Sequence, residues 1–254
     1  RAVVLADGRR LLARRAVIAG VHPQQLYGPL LGEQLRLPER AVQAARLRPG
    51  PATMMIHLAL KDLPHWRASA DLRGFAYVHV APSLDQMART YREAQSGLLP
   101  AEPVLVVGQP TAFDASRAPE GQHVLWVQVR ALPFGVQGDA AGQLQAREWD
   151  DLSEAYADRV MALLEIHAPG LSKLVLARHV ISPTDLVRSN PNLVGGDSLS
   201  GSHHMDQFFV FRPSFGLSRW RTPVKGLFHI GASTWPGAGT GAGSGYMLAK
   251  ELAA

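Results

Sequence analysis

The stretch Leu227–Leu252, LFHIGASTWPGAGTGAGSGYMLAKEL, is the feature that most limits what this chain can fold into. Alternating apolar residues open it, with Leu227, His229 and Gly231 on one side and Phe228 and Ile230 on the other. Glycine then recurs at Gly237, Gly239, Gly241, Gly243 and Gly245, and Tyr246–Leu252 is helix-prone. The pattern predicts strand, glycine-rich turn and helix. Glycine lets a backbone come close to a ligand, and a helix start offers free N–H groups to an anion or an electron-rich ring. A flexible Gly/Ser tail is the simpler alternative. A tail has no need of the flanking strand, and glycines in a helix start cost about 1 kcal/mol each relative to alanine.

Two nucleotide motifs are absent. G-x-G-x-x-G fails because Ala242 closes the frame opened at Gly237 and Ser244 the frame opened at Gly239. No lysine follows these glycines in the manner of a G-x-x-x-x-G-K-[ST] phosphate loop.

With 254 residues, 46% of them apolar, the chain can bury one large core or two modest ones. It contains no cysteine, which excludes disulfides, thiolate metal sites and a redox dithiol. No apolar run approaches the roughly 18 residues of a spanning helix. The net charge of +5 is uneven: residues 1–50 hold nine Arg against Asp7, Glu33 and Glu39, a balance of +6. These arginines are dispersed among apolar residues without an aromatic platform, so nucleic acid is not an expected partner. A solvated surface or a peripheral contact with anionic lipid fits them better. The expected location is cytoplasmic, with membrane association open.

Along the chain, Ala2–Leu5 and Leu11–Ala19 read as a hairpin around Asp7-Gly8. Residues 24–49 form a helical region interrupted by Pro29 and Pro38. Strands are expected at Thr53–Leu60, Gly74–Val80, Val104–Val107, Val124–Val129 and Leu174–Ile181. Ser83 caps a helix that runs to about Gln95, and residues 149–167 form the clearest amphipathic helix, ended by Pro169-Gly170. Residues 190–202 are loop. Phe208–Phe211 (FFVF) reads as a short strand with both faces apolar. A mixed sheet backed by helices results, which is an α/β class with α+β character.

Local chemistry is sparse. His203-His204 with Asp206 lacks a third ligand at useful spacing, so no metal site is expected. No G-x-S-x-G elbow supports a hydrolase. Arg212 reads either as an anchor for a carboxylate or ring carbonyl or as half of a structural salt bridge. Most of the aromatic residues read as core.

Gly231-Ala-Ser-Thr-Trp-Pro-Gly-Ala-Gly, with Gly241-Ala and Gly245, resembles the C-terminal flavin-binding signature of phytoene desaturase-like FAD oxidoreductases. That group includes retinol saturases and the pyridine nucleotide-disulfide oxidoreductase domain-containing proteins. The likeness runs upstream through Gly195-Gly196-Asp197, Asp206-Gln207, Arg212-Pro213, Thr222-Pro223 and Gly226-Leu227, and back to Asp7-Gly8. Members are about twice this long and open with a βαβ unit that carries G-x-G-x-x-G. This chain starts with Arg and reaches its first methionine at Met54. The resemblance therefore implies the C-terminal half of a two-domain FAD/NAD(P)-binding flavoprotein, without its N-terminal βαβ unit.

On that resemblance residues 1–22 and 191–254 belong to the FAD domain, and 23–190 form an inserted mixed-sheet substrate domain. FAD would be held by Gly231, Ala232, Ser233, Thr234, Trp235, Pro236, Gly237, Gly239, Thr240 and Gly241, with Trp235 against the isoalloxazine ring. His204, Gln207 and Arg212 would be the contacts to an apolar, isoprenoid-like substrate. Relatives often carry a histidine after the GGD segment where this chain has Ser200. The implied activity is hydride exchange between flavin and substrate, and no acid–base residue is compelled. The alternative is a non-catalytic scaffold or partner that keeps the fold and binds no FAD. A nicotinamide-dependent dehydrogenase would need the missing G-x-G-x-x-G.

Overall fold

A computed structural model describes residues 2–32, 35–239 and 242–253. The chain divides into two compact units, Arg1–Gly50 with Asn190–Ala254, and Pro51–Ser189. In chain order the strands are β1 (Ala2–Val4), β2 (Arg10–Leu12), β3 (Val17–Ala19), β4 (Ala52–Leu60), β5 (Tyr77–Val80), β6 (Leu98–Leu99), β7 (Val104–Gly108), β8 (His123–Leu132), β9 (Gly138–Asp139), β10 (Val175–Ile181) and β11 (Leu227–His229). The helices are α1 (Pro23–Gln25), α2 (Glu39–Ala45), α3 (Leu84–Gln95), α4 (Trp149–His167), α5 (Leu171–Leu174), α6 (Pro183–Ser189) and α7 (Gly243–Ala253).

The unit Pro51–Ser189 is built on a five-stranded sheet of order β10-β4-β8-β7-β5. Every pairing in it is antiparallel, which corrects the expected mixed sheet. The alternation itself carries the reason. From Met54 onward β4 buries Met54, Ile56, Leu58 and Leu60 and leaves the residues between them half-buried. Such in–out patterning belongs to antiparallel sheets with one packed face, whereas buried parallel strands are apolar throughout. The packed face receives α4 through Trp149, Leu152, Tyr156, Val160 and Leu164, all on one stripe of the helix. Ser83 caps α3 by accepting from the Gln86 amide at 3.1 Å. On the other face Trp126 lies across Gly108, where an added Cβ would sit 2.1 Å from the indole.

One buried ion pair ties this unit together. Arg159 on α4 donates to both oxygens of Asp139, each at 2.6 Å. The Asp139 carboxylate also accepts the amides of Gln143 and Leu144. Burial alone would raise its pKa, but the guanidinium and these amides outweigh that and hold it well below the usual carboxylate range.

In the other unit β1 and β2 form the expected hairpin, with Ala2 opposite Leu12. The predicted return strand Leu11–Ala19 is broken by a bend at Arg14-Arg15. Its second half, β3, pairs in parallel with β11, so Val17, Ile18 and Ala19 lie opposite Leu227, Phe228 and His229. Leu26, Tyr27, Ala41 and Ala44 bury with Leu217, which places residues 23–50 in this unit rather than with the sheet. Phe228, Trp220 and Leu248 of α7 form a second small cluster. Phe208–Phe211 is not a strand. Phe209 has φ 46°, outside the extended region, and Phe209–Phe211 make an exposed 3₁₀ turn. No helix among the described residues is long and apolar enough to cross a membrane.

Candidate cofactor site

Beyond β11 the chain turns sharply at Gly231, whose φ of 113° only glycine adopts readily. The Gly231 amide donates to Ser244 Oγ at 2.9 Å, which fastens the end of the strand to the first turn of α7. Helix α7 begins at Gly243, three residues before the helix-prone tail, so Gly243 and Gly245 lie inside that first turn. Thr234 folds back and donates to the Gly231 carbonyl through both its amide and its hydroxyl. The Trp235-Pro236 peptide is cis. Strand, glycine turn and helix therefore follow one another as the pattern predicts.

The residues of the turn divide by direction. Ser233, Thr234 and Gly237 are buried; a Cβ on Gly237 would meet Phe208 at 3.3 Å. Gly231 and Gly239 face open space, with nothing within 4 Å of an added Cβ. Ala232 and Pro236 are half-buried and Trp235 is exposed. Thr240 and Gly241 lie outside the described residues. Trp235 also borders a cavity of about 720 Å³ together with Val210, Trp220, Arg219 and Met247. That volume is within the roughly 300–1,000 Å³ of small-molecule sites. The backbone amides of Ala232 and Ser233 donate to no group among the described residues.

Of the three substrate candidates, only His204 is exposed. Gln207 is buried and spends its amide on Arg48, accepting from its N–H at 2.8 Å and donating to its carbonyl at 3.0 Å. Arg212 is wholly buried. Among the described residues it makes no salt bridge. Its guanidinium donates to six backbone carbonyls, those of Leu199, Ser200, Gly201, Ser202, Gln207 and Ala232. Among the described residues no group of three His, Asp or Glu side chains gathers as metal ligands.

Two histidines stand at the ends of the parallel strand pair. His229 closes β11, is 2% exposed, and donates from Nε2 to the Val21 carbonyl at 2.8 Å. Its Nδ1 then holds a lone pair with no donor among the described residues. His22 follows β3, accepts the Gln24 amide at Nδ1, and leaves Nε2–H with no acceptor among the described residues. Burial is the main cause that lowers both pKa values to about 4. Composition offers no signal for His229, since a histidine within an apolar strand reads as ordinary packing.

These features fit a flavin. Among the described residues, two open glycines, two free amides, an exposed indole and a helix start sit on one turn at the C-terminal end of a parallel pair, where ligands of α/β folds bind. A donor and an acceptor on His22 and His229, both orphaned, flank the same strand ends.

No family model matches the chain. It is 26% identical to pyridine nucleotide-disulfide oxidoreductase domain-containing protein 2 of Mus musculus, over 98% of this chain and 43% of that protein. Phytoene dehydrogenase of Streptomyces griseus is 30% identical over 155 residues, covering 59% of this chain and 28% of that one. A solved oxidoreductase from Methanosarcina mazei shares the fold, with a TM-score of 0.51 and 17% identity over 90% of this chain and 40% of its own. The chain thus spans less than half the length of the relatives it matches. The chain is a homologue of proteins named pyridine nucleotide-disulfide oxidoreductase domain-containing protein 2 and phytoene dehydrogenase, the group its glycine-rich signature resembles.

Proposed function

We propose that this chain supplies the ring side of the flavin site in an FAD-dependent oxidoreductase of desaturase or saturase type, as the C-terminal part of a longer protein. The observation that carries this reading is the turn Gly231–Gly239, pinned by Ser244, with the Ala232 and Ser233 amides free among the described residues. When bound, FAD would supply hydride exchange with a substrate carbon. Gly231 and Gly239 would let the backbone approach the ring, Trp235 would pack against it, and the α7 start would favour its electron-rich edge by about 1 kcal/mol. Exposed Met205, Phe209, Phe211 and Phe215 offer an apolar surface able to exclude water from an apolar substrate. The names of the relatives, phytoene dehydrogenase among them, favour an isoprenoid-like molecule.

Titrating the protein with FAD while following flavin fluorescence tests the reading. We expect a saturable change that Trp235→Ala weakens and Gly239→Val abolishes. An unchanged spectrum in the wild type, with the fold intact, favours the scaffold alternative.

A further inference from the structure

The loop Asp197–Ser202 is gripped from both sides by opposite charges that do not touch. Asp197 is 2% exposed, and its carboxylate accepts the amides of Leu199, Gly201 and Gly50, each at 2.7 Å. Arg212, on the other side, takes the carbonyls of Leu199, Ser200, Gly201 and Ser202. Leu199 and Gly201 each give their N–H to the anion and their C=O to the cation. The two charges are compensated through peptide dipoles rather than by a direct ion pair.

The loop is bent to make this possible. Ser200 holds φ 58° and Gly201 φ 114°, both in the region that favours glycine. A side chain at Gly201 would meet Leu47 at 2.7 Å. The remaining reach of Arg212 goes elsewhere: Nε donates to the Ala232 carbonyl at 2.7 Å, twenty residues further along the chain. In a trans peptide C=O and N–H point in opposite directions. Drawing the Ala232 carbonyl toward Arg212 therefore turns the Ser233 N–H away from it, and that amide is one of the two with no acceptor among the described residues.

We propose that Arg212 and Asp197 act as one positioning device, in which the loop Asp197–Ser202 sets the peptide plane Ala232–Ser233 and so aims the Ser233 amide, free among the described residues, at the ligand of the glycine turn. This rests on the flavin reading for the ligand, though not for the coupling. Neither residue is a catalytic group. Each acts through the turn.

The test uses Arg212→Lys, which keeps the charge but not the fork, Arg212→Met, which loses both, and Asp197→Asn. Two readouts are taken: free FMN affinity by fluorescence, and amide hydrogen exchange across 231–239. Exchange in that turn should speed up tenfold or more in Asp197→Asn, although Asp197 makes no contact there. FMN affinity should fall in the same order as the exchange rises, with Arg212→Lys between the wild type and Arg212→Met. The double variant Asp197→Asn with Arg212→Lys should be no worse than its worse parent. Wild-type exchange at 231–239 in folded Asp197→Asn overturns the proposal whether or not FMN binds. Accelerated exchange with no FMN binding in the wild type supports the device and counts against the flavin reading alone. If the variants do not fold, the wild type still decides: Gly201 and Gly231 amides should open at the same rate, and independent opening overturns the coupling.

Discussion

His22 and His229 present a donor and an acceptor, each buried and each without a partner among the described residues, at the ends of two neighbouring parallel strands. For both, burial is the first cause of a pKa lowered from 6.5 to about 4. Asp197 draws His22 upward, while His229 and Arg212 push it down. The unfolded chain therefore takes up protons before the folded one as pH falls. Stability is full above about 6.5 and is lost as pH drops toward 4, by roughly 1.4 kcal/mol per pH unit for each histidine. Urea melts between pH 7 and 4 should show this slope, and His229→Gln should about halve it. A flat profile would mean that both rings are solvated.

The Asp139–Arg159 pair behaves oppositely to a surface salt bridge, because Asp139 is almost wholly buried. Arg159→Met leaves a desolvated carboxylate and should cost about 3–5 kcal/mol, with the double change to Met and Asn recovering part of it. Denaturant unfolding of the single and double variants checks the order. A cost under about 1 kcal/mol would show that water reaches Asp139.

Gly108 is required by its neighbour and not by its own backbone. Any side chain there collides with Trp126, so Gly108→Val should displace the indole from the sheet and destabilise by about 1–3 kcal/mol. Tyr77, which meets Trp126 edge-on at 5.4 Å, would lose that contact. An altered tryptophan emission spectrum reports the displacement, and an unchanged one argues against it.

Gly231 and Gly239 have room for a side chain but not the backbone for it. Alanine at either should be strained at positive φ and cost about 1 kcal/mol without any clash. Flavin affinity should fall more than stability, since a strained turn shifts its amides. Equal losses would mark the two glycines as structural only.

Much of the fold was legible because period and punctuation agreed. The alternation of β4, the stripe on α4 and the Ser83 cap are local signals that tertiary packing had no reason to override. The antiparallel pairing of the sheet is not legible in a series of strand segments, because it depends on which distant strands meet. Four apolar residues at Phe208–Phe211 suggest a buried strand, whereas Phe209–Phe211 lie on an exposed turn before a buried arginine and Phe208 is half-buried. The type of Arg212 suggests a ligand anchor or a salt bridge, and neither reading carries a signal for the six backbone carbonyls that hold it in the structure. His229 gave no signal, since its meaning depends on strand pairing 210 positions away in the chain, opposite Ala19.

The most direct test of the flavin reading compares FAD with FMN on this chain. The glycine turn, Trp235 and α7 account for the ring side alone, and the sequence has no G-x-G-x-x-G to hold an adenosine diphosphate. Both flavins should therefore bind with affinities within a factor of about three, equivalent to roughly 0.7 kcal/mol, and each should protect amides in 231–239 from exchange. Binding of FAD with none of FMN would place recognition at the adenosine end and contradict the site described. Absence of protection by either flavin at saturating concentration would contradict the reading altogether.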